Sequence, residues 1–254
     1  MSEKATLIYE QIRKKIQSAP AVGADETGCR VNGKKNRFHV WQNGLLTFIV
    51  SFAHRSYEVV KEYFPDGFIR SVYVSDCYAA RLKTPALAHQ LCLAHLLREL
   101  KNFAKSLNSS RSIKMKELLC QAMELKKNMT DDDYLIPPKK VAQINSRLDV
   151  LLAQDHSKFH EKEQAFINRL IKHRDSILTF LKYEFVPPHN NGSESAIRNV
   201  KVKTKVSGQF RNDQGKGADR YAILRSVTDT NIKNDQEVFA AFLALAKNQC
   251  LCPE

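Results

Sequence analysis

Two rhythms of apolar residues run along the chain, one recurring every three or four positions and one every second position, and together they set out its elements. Leu7, Ile8, Ile12 and Ile16 fall on one side of a helix over roughly the first 16 residues. After Pro20 the small apolar run through Val22 predicts a short strand that ends at Asp25, with Glu26 next to it. The stretch RFHVWQNGLLTFIVSF holds two strand-like runs about Asn43-Gly44, a dipeptide that favours hairpin turns. Phe38, Trp41 and Phe48 belong to the core of that hairpin. Val59, Val60, Tyr63 and Phe64 return to helical spacing and are closed by Pro65-Asp66-Gly67. FIRSVYVSD then alternates Phe68, Val72 and Val74 and ends at Asp76, and HQLCLAH reads as a further strand leading into the helix LLRELKNFAKSL. Strand, hairpin, helix, strand, short helix, strand and helix in this order predict a mixed sheet covered by helices.

From Arg111 to Glu184 only the helical rhythm remains. Ile113, Leu118, Leu119, Ala122 and Met123 form one stripe. Val141, Ile144, Leu148 and Leu151 form a second after the break DDDYLIPP. The set Phe166, Ile167, Leu170, Ile171, Ile177, Leu178 and Leu181 predicts one long amphipathic helix. Pro187-Pro188 stops it, and Asn190, Asn191 or Ser193 can cap a new helix that carries Glu194, Ile197, Arg198 and Lys201 on one flank. A Gly-rich turn, SGQFRNDQGKG, and two more helices follow. The expected organisation is an N-terminal helix over residues 1–20, a first core part over 21–108, a helical insertion over 109–186 and a last core part over 187–254.

Charge narrows the function. The 254 residues carry 40 Lys and Arg against 27 Asp and Glu, a formal charge of +13. That excess attracts polyanions, nucleic acid first. The chain has no apolar run of the roughly 20 residues a spanning helix requires and no apolar signal core at its start, so a cytosolic, nucleoid-associated protein is expected. Cys29, Cys77, Cys92, Cys120, Cys250 and Cys252 are scattered rather than arranged as a disulfide framework, which fits a reducing compartment.

Against this basic background the acidic residues stand out. Asp25 and Asp76 are each expected at the C-terminal tip of a strand, where open α/β sheets gather ligands. Carboxylates are hard oxygen donors suited to Mg²⁺ or Mn²⁺. Glu194, in the first turn of a helix, can supply a third. Glu184 and Glu26 are rivals for that position, although Glu26 should point to the strand face opposite Asp25. Taken singly, each residue could equally be a cap, a turn former or half of a surface ion pair.

The segments DETGCRVNGKKNRFHVW, VYVSDCYAA, HQLCLAHLLREL and NNGSESAIRNVKVKTKVSGQFRN, with the closing DRYAILRSVTDTNIKN, together resemble the IS sixty-six family of insertion-sequence transposases. The resemblance implies a DDE catalytic domain on a ribonuclease H-like fold, with Asp25, Asp76 and Glu194 as catalytic metal ligands. It further implies phosphodiester hydrolysis and strand transfer at the ends of a mobile element. Two ions, Mg²⁺ or Mn²⁺, about 3.5–4 Å apart would activate the attacking oxygen and stabilise the leaving one. The 118 positions between Asp76 and Glu194 leave room for the helical insertion. His189 stands where the family has an acidic residue, and Ser195 where it commonly has Arg. Such transposases carry an upstream DNA-recognition region, and no such segment precedes Asp25; a fragment, a truncated copy or one part of a split element is therefore expected, acting as a homo-oligomer on DNA.

The remaining motifs are secondary. Arg198, Lys201, Lys203 and Lys205 follow the proposed Glu and suit phosphate contacts. Cys92-x-x-His95 has the spacing of half a zinc site, with Cys77 or His89 as candidate partners, but reads better as packing. Cys250-x-Cys252 reads as incidental. GQFRNDQGKG has the wrong spacing for a phosphate-binding loop, with Gly217 where Ser or Thr should hold the metal. The alternative function is a non-catalytic DNA-binding or regulatory module derived from a transposase.

Overall fold

The computed structural model describes residues 1–54, 57–211 and 216–247. Helix α1 (Ser2–Gln17) leads into strand β1 (Ala21–Val31), β2 (Lys34–Gln42) and β3 (Thr47–Phe52). Then follow α2 (Glu58–Tyr63), β4 (Phe68–Ser75), the single turn α3 (Ala79–Leu82), β5 (Ala86–Leu91) and α4 (Leu93–Ser106). The five strands form one sheet in the order β3-β2-β1-β4-β5, so the connection through α2 carries the chain across to the far side of β1. The sheet and its flanking helices are compatible with a ribonuclease H-like fold.

The described chain divides into two compact units. One holds Met1–Tyr73, Tyr78–Leu87 and the C-terminal part from Asn190; the other holds Val74–Cys77 and Ala88–His189.

In the first unit β1 is much longer than the expected run from Val22 to Asp25. Its far half continues as Thr27, Cys29 and Val31, which are buried at every second position while the residues between them face outward. It pairs antiparallel with β2 through a tight turn at Asn32 and Gly33, both at positive φ (48° and 75°). These two residues suit a hairpin turn that needs left-handed backbone at both central positions. The second hairpin lies where Asn43-Gly44 predicts it, as a four-residue loop. Asn43 Oδ1 accepts hydrogen bonds from the amides of Leu45 (2.9 Å) and Leu46 (2.8 Å).

One core of this unit joins α1 to the aromatic residues Trp41, Phe48, Phe64, Phe68 and Tyr73. Trp41 Nε1 donates to the Tyr73 hydroxyl at 3.0 Å, so the buried indole is satisfied. Phe38 belongs to the second core, with Val40, Ile49, Ile197, Val200 and Phe210. On α1 the buried stripe is Ala5, Ile8, Tyr9, Ile12 and Ile16, whereas Leu7 is 62% exposed, one position off the packed face. The edge strand β3 is covered by α10 (Gly217–Lys233). Ser226 Oγ accepts from the Ile49 amide (2.9 Å) and Thr230 Oγ1 from the Thr47 amide (3.1 Å). These hydroxyls occupy edge donors that would otherwise be open to a neighbouring strand. Helix α11 (Val238–Ala246) completes the described C-terminal part.

The second unit is helical beyond its two strand ends, with α5 (Ser110–Lys127), α6 (Asp132–Leu135), α7 (Lys139–Ala153) and α8 (Glu161–Lys172) following α4. The helix expected to run from Phe166 to Leu181 stops at Lys172, and the chain continues as two short 3₁₀ turns, Arg174–Ser176 and Thr179–Leu181. The Gln90 side chain donates to Ile177 O (3.0 Å) and accepts from Phe180 N (2.8 Å), and Thr179 Oγ1 donates to His89 O (2.6 Å). The two Gln90 bonds satisfy backbone groups that a continuous helix would have satisfied internally, and the Thr179 bond ties the segment to β5.

Candidate active site

Asp25 lies inside β1, opposite Val40 of β2, and not at a strand tip. A carboxylate in mid-strand requires compensation, and the structure supplies it locally. Asp25 Oδ1 accepts from the Glu26 amide at 2.8 Å, and Arg81 Nη2 approaches the same oxygen at 3.3 Å. Arg81 comes from α3, and its side chain is only 8% exposed against 19% for Asp25. The same nitrogen lies 3.7 Å from Glu26 Oε2. Glu26, 6% exposed, also meets Arg37 Nη1 at 3.3 Å and His39 Nδ1 at 3.5 Å. Two carboxylates thus stand against two guanidinium groups. A cavity of about 20 Å³, lined by Asp25, Glu26, His39, Tyr78 and Arg81 among others, lies beside them and is large enough for one water.

Glu194 reaches the same unit on α9 (Asn191–Ser207), and the first turn of that helix is fastened directly to β1. Asn190 Nδ2 donates to the carbonyl of Ala24 at 2.7 Å, the residue before Asp25. Asn190 Oδ1 accepts from Ser193 Oγ at 2.6 Å. Asn190 therefore caps the helix by position while its amide is spent on the strand. Such a close approach needs glycine on both sides. A Cβ on Gly23 would stand 2.3 Å from Asn190 Oδ1 and 2.9 Å from Ser193 Oγ, and one on Gly192 would stand 2.5 Å from Gln42 Oε1. Glu194 follows the fully buried Ser193 and is itself half-buried. The two carboxylates offer the oxygen donors that Mg²⁺ or Mn²⁺ takes.

Beyond this turn α9 has two distinct sides. Ala196, Ile197 and Val200 pack into the core, while Arg198, Lys201, Lys203 and Lys205 are all exposed. Ile197 is consequently not on the flank of the basic residues, as its spacing had suggested. The helix ends at Gly208 (φ 70°), whose amide bonds to Thr204 O at 2.8 Å.

Asp76 belongs to the second unit and does follow directly on a strand, immediately after Ser75 of β4. Ser75 O accepts from the Cys92 amide at 2.8 Å, which fixes the start of α4 to the end of the strand. Burial opposes the charge of Arg169 on α8, but Glu99, accepting from its Nη2 at 2.7 and 2.8 Å, keeps its pKa above the usual value, with Cys77 and Asp76 adding to the effect. Burial pushes the Cys77 thiol up to about 11, so it stays protonated at neutral pH. Cys92 is buried, and among the described residues neither Cys77 nor His89 joins Cys92 and His95 in a metal-binding group. Cys250-x-Cys252 lies outside the described residues, as does part of the Gly-rich turn.

Sequence reasoning missed Arg81. It stands 56 positions from Asp25 in a four-residue helix, and only its burial marks it as anything but a surface cation.

The family model described as "Transposase IS66 family" matches residues 1–218, a span that takes in Asp25, Asp76, Glu194 and the basic face of α9. The chain belongs to the IS66 transposase family. The match begins with α1, earlier than the motif at Asp25, and ends at the start of α10. No curated protein matched the chain. Membership makes this a transposase, with DNA as the partner and divalent metal use as the family's general habit. Among the described residues no helix is long and apolar enough to cross a membrane.

Proposed function

We propose that this IS66 transposase chain cuts and joins DNA strands at the ends of a mobile element, with Asp25, Asp76 and Glu194 as the metal-binding catalytic carboxylates. The reading also takes residues 109–186 to be a helical insertion in a ribonuclease H-like core. The observation that carries it most is the fastening of α9 to β1. The Asn190–Ala24 hydrogen bond and the glycines at 23 and 192 hold the turn bearing Glu194 against the strand bearing Asp25. That fastening joins residues 166 positions apart and brings the two carboxylate-bearing segments together.

Two divalent ions would supply activation of the attacking water or 3′-hydroxyl and neutralisation of the leaving oxygen. The protein's own part is to present carboxylate oxygens on rigid elements. Asp25 is held on one oxygen by the Glu26 amide and Arg81, and Glu194 by the buried Ser193 turn. The exposed Arg198, Lys201, Lys203 and Lys205 are proposed to receive backbone phosphates, which supply affinity and orientation but no sequence discrimination. Strand transfer with labelled end duplexes and Mn²⁺ tests the reading. Asp25→Asn, Asp76→Asn and Glu194→Gln should each lower the rate by ~10²–10³-fold, the scale of losing a main electrostatic contributor. Near-normal turnover in any folded variant removes that residue from the site.

A further inference from the structure

The immediate surroundings of Asp25 contain a conflict. A carboxylate that is to take a divalent cation already has a guanidinium 3.3 Å away, buried and with little room to swing into solvent. The same Arg81 nitrogen stands 3.7 Å from Glu26, whose carboxylate is as buried as the arginine. Glu26 is held from its other side by Arg37 and His39, so it stays in place whatever Asp25 does. Arg81 therefore sits between one carboxylate that is fixed and one whose proposed role requires it to change partner.

We propose that Arg81 is a positioning residue for Asp25, holding its carboxylate in the absence of metal, and that Glu26 is the counter-carboxylate that retains Arg81 when Asp25 takes up a divalent cation. This rests on Asp25 being a metal ligand. The physical argument is one of charge. Two cations on one buried carboxylate repel each other, so metal binding at Asp25 must weaken its contact with Arg81. Taking a carboxylate away from a buried guanidinium is costly, and a second carboxylate within reach on the next residue lowers that cost. Adjacent strand residues ordinarily face opposite sides of a sheet. Here one nitrogen reaches both, with the Asp25 carboxylate folded back onto the Glu26 amide. Acidic residues in tandem at positions 25 and 26 then have distinct tasks, one to bind the metal and one to keep the displaced arginine.

Mn²⁺ calorimetry on the full chain, with circular dichroism to confirm folding, tests the idea without relying on activity. Glu26→Gln should weaken Mn²⁺ binding about tenfold, because Arg81 then loses the neighbouring carboxylate that draws it away from Asp25. Arg81→Gln should tighten binding by a similar factor. The decisive result is their coupling: in an Arg81→Gln background, Glu26→Gln should change Mn²⁺ affinity by no more than about twofold. A general field effect would be additive, and Arg37→Gln, the same charge change in contact with Glu26, would then tighten binding as much as Arg81→Gln. Additive effects, or equal effects of Arg37→Gln and Arg81→Gln, overturn the proposal. Should Arg81→Gln alone fail to fold, the double variant keeps the buried charge balanced, and it must bind Mn²⁺ more tightly than Glu26→Gln. The two readings fail separately. Parent binding unaffected by Asp25→Asn removes the metal role of Asp25 and this inference with it, whereas binding lost in Asp25→Asn but additive in the cycle removes this inference alone.

Discussion

At the scale of single residues, Gly23 shows how much depends on an absent side chain. A methyl there would press on Asn190 Oδ1 and Ser193 Oγ, both engaged in hydrogen bonds that fix the first turn of α9. Gly23→Ala is expected to cost about 1–3 kcal/mol, typical of overpacking, and to lower strand transfer by more than the loss of stability explains. Urea unfolding beside a transfer assay separates the two effects; a variant as stable and active as the parent would show that the turn can shift freely. The acidic pair Asp25-Glu26 was legible as a candidate because adjacent carboxylates interrupt an apolar run. Its setting was not. Polarity made it look like a strand end, whereas Arg81, Arg37 and His39 balance the charge and let the strand continue to Val31. No local pattern announces a guanidinium arriving from 56 positions away.

At the scale of elements, periodicity located helices and strands well where one face is packed and misjudged their limits where side chains satisfy the backbone. The Asn43-Gly44 hairpin was evident, yet Asn32-Gly33 makes the tighter turn and was obscured by the charged residues around it, Arg30, Lys34 and Lys35. The break after α8 could not be read from spacing, since its cause is the Gln90 side chain on another element. A similar side-chain tie joins α10 to the loop between β2 and β3. Lys233 Nζ donates to Gln42 Oε1 (2.9 Å), Asn43 O (2.6 Å) and Leu46 O (3.0 Å). Burial pushes the Lys233 ammonium down from 10.5 to about 8, with Asp229 pulling the other way. A lysine whose pKa is depressed by folding holds its proton more tightly in the unfolded chain. Its folded state therefore gains stability as pH rises from about 8 to 10.5, and lacks that gain below 8. Lys233→Met has no such titration. The parent's stability relative to this variant should increase across that window in denaturation at fixed salt, and a difference flat in pH would contradict the shift.

At the scale of the whole molecule, the charge of +13 and the family membership point to the same partner. Order of elements and separated motifs sufficed to read a mixed sheet and an IS66 transposase. Of the side chains that secure the candidate site, Asn190 was visible in sequence as a possible helix cap, whereas its bond to Ala24 was not, and Arg81 carries no signature of its own. If the exposed basic residues of α9 meet phosphates, neutralising Lys201, Lys203 and Lys205 together should flatten the dependence of DNA affinity on salt. The expected decrease is about 0.9 in the log–log slope for each contact removed. The loss should be equal for end and scrambled duplexes, since backbone contacts do not read bases. Titrations at several salt concentrations measure it, and an unchanged slope would mean that DNA runs elsewhere.

The hydrogen bond from Asn190 to Ala24 also orders events in time. Its two ends are separated by 166 positions, so the strand with Asp25 leaves the ribosome long before the turn with Glu194 exists. At translation rates of roughly 5–20 residues per second, that interval is about 8–33 seconds. During synthesis Gly23, Ala24 and Gln42 therefore wait with their α9-facing sides uncovered, and only the arrival of α9 closes them. Under the proposed reading, the two carboxylates cannot meet until α9 has been made.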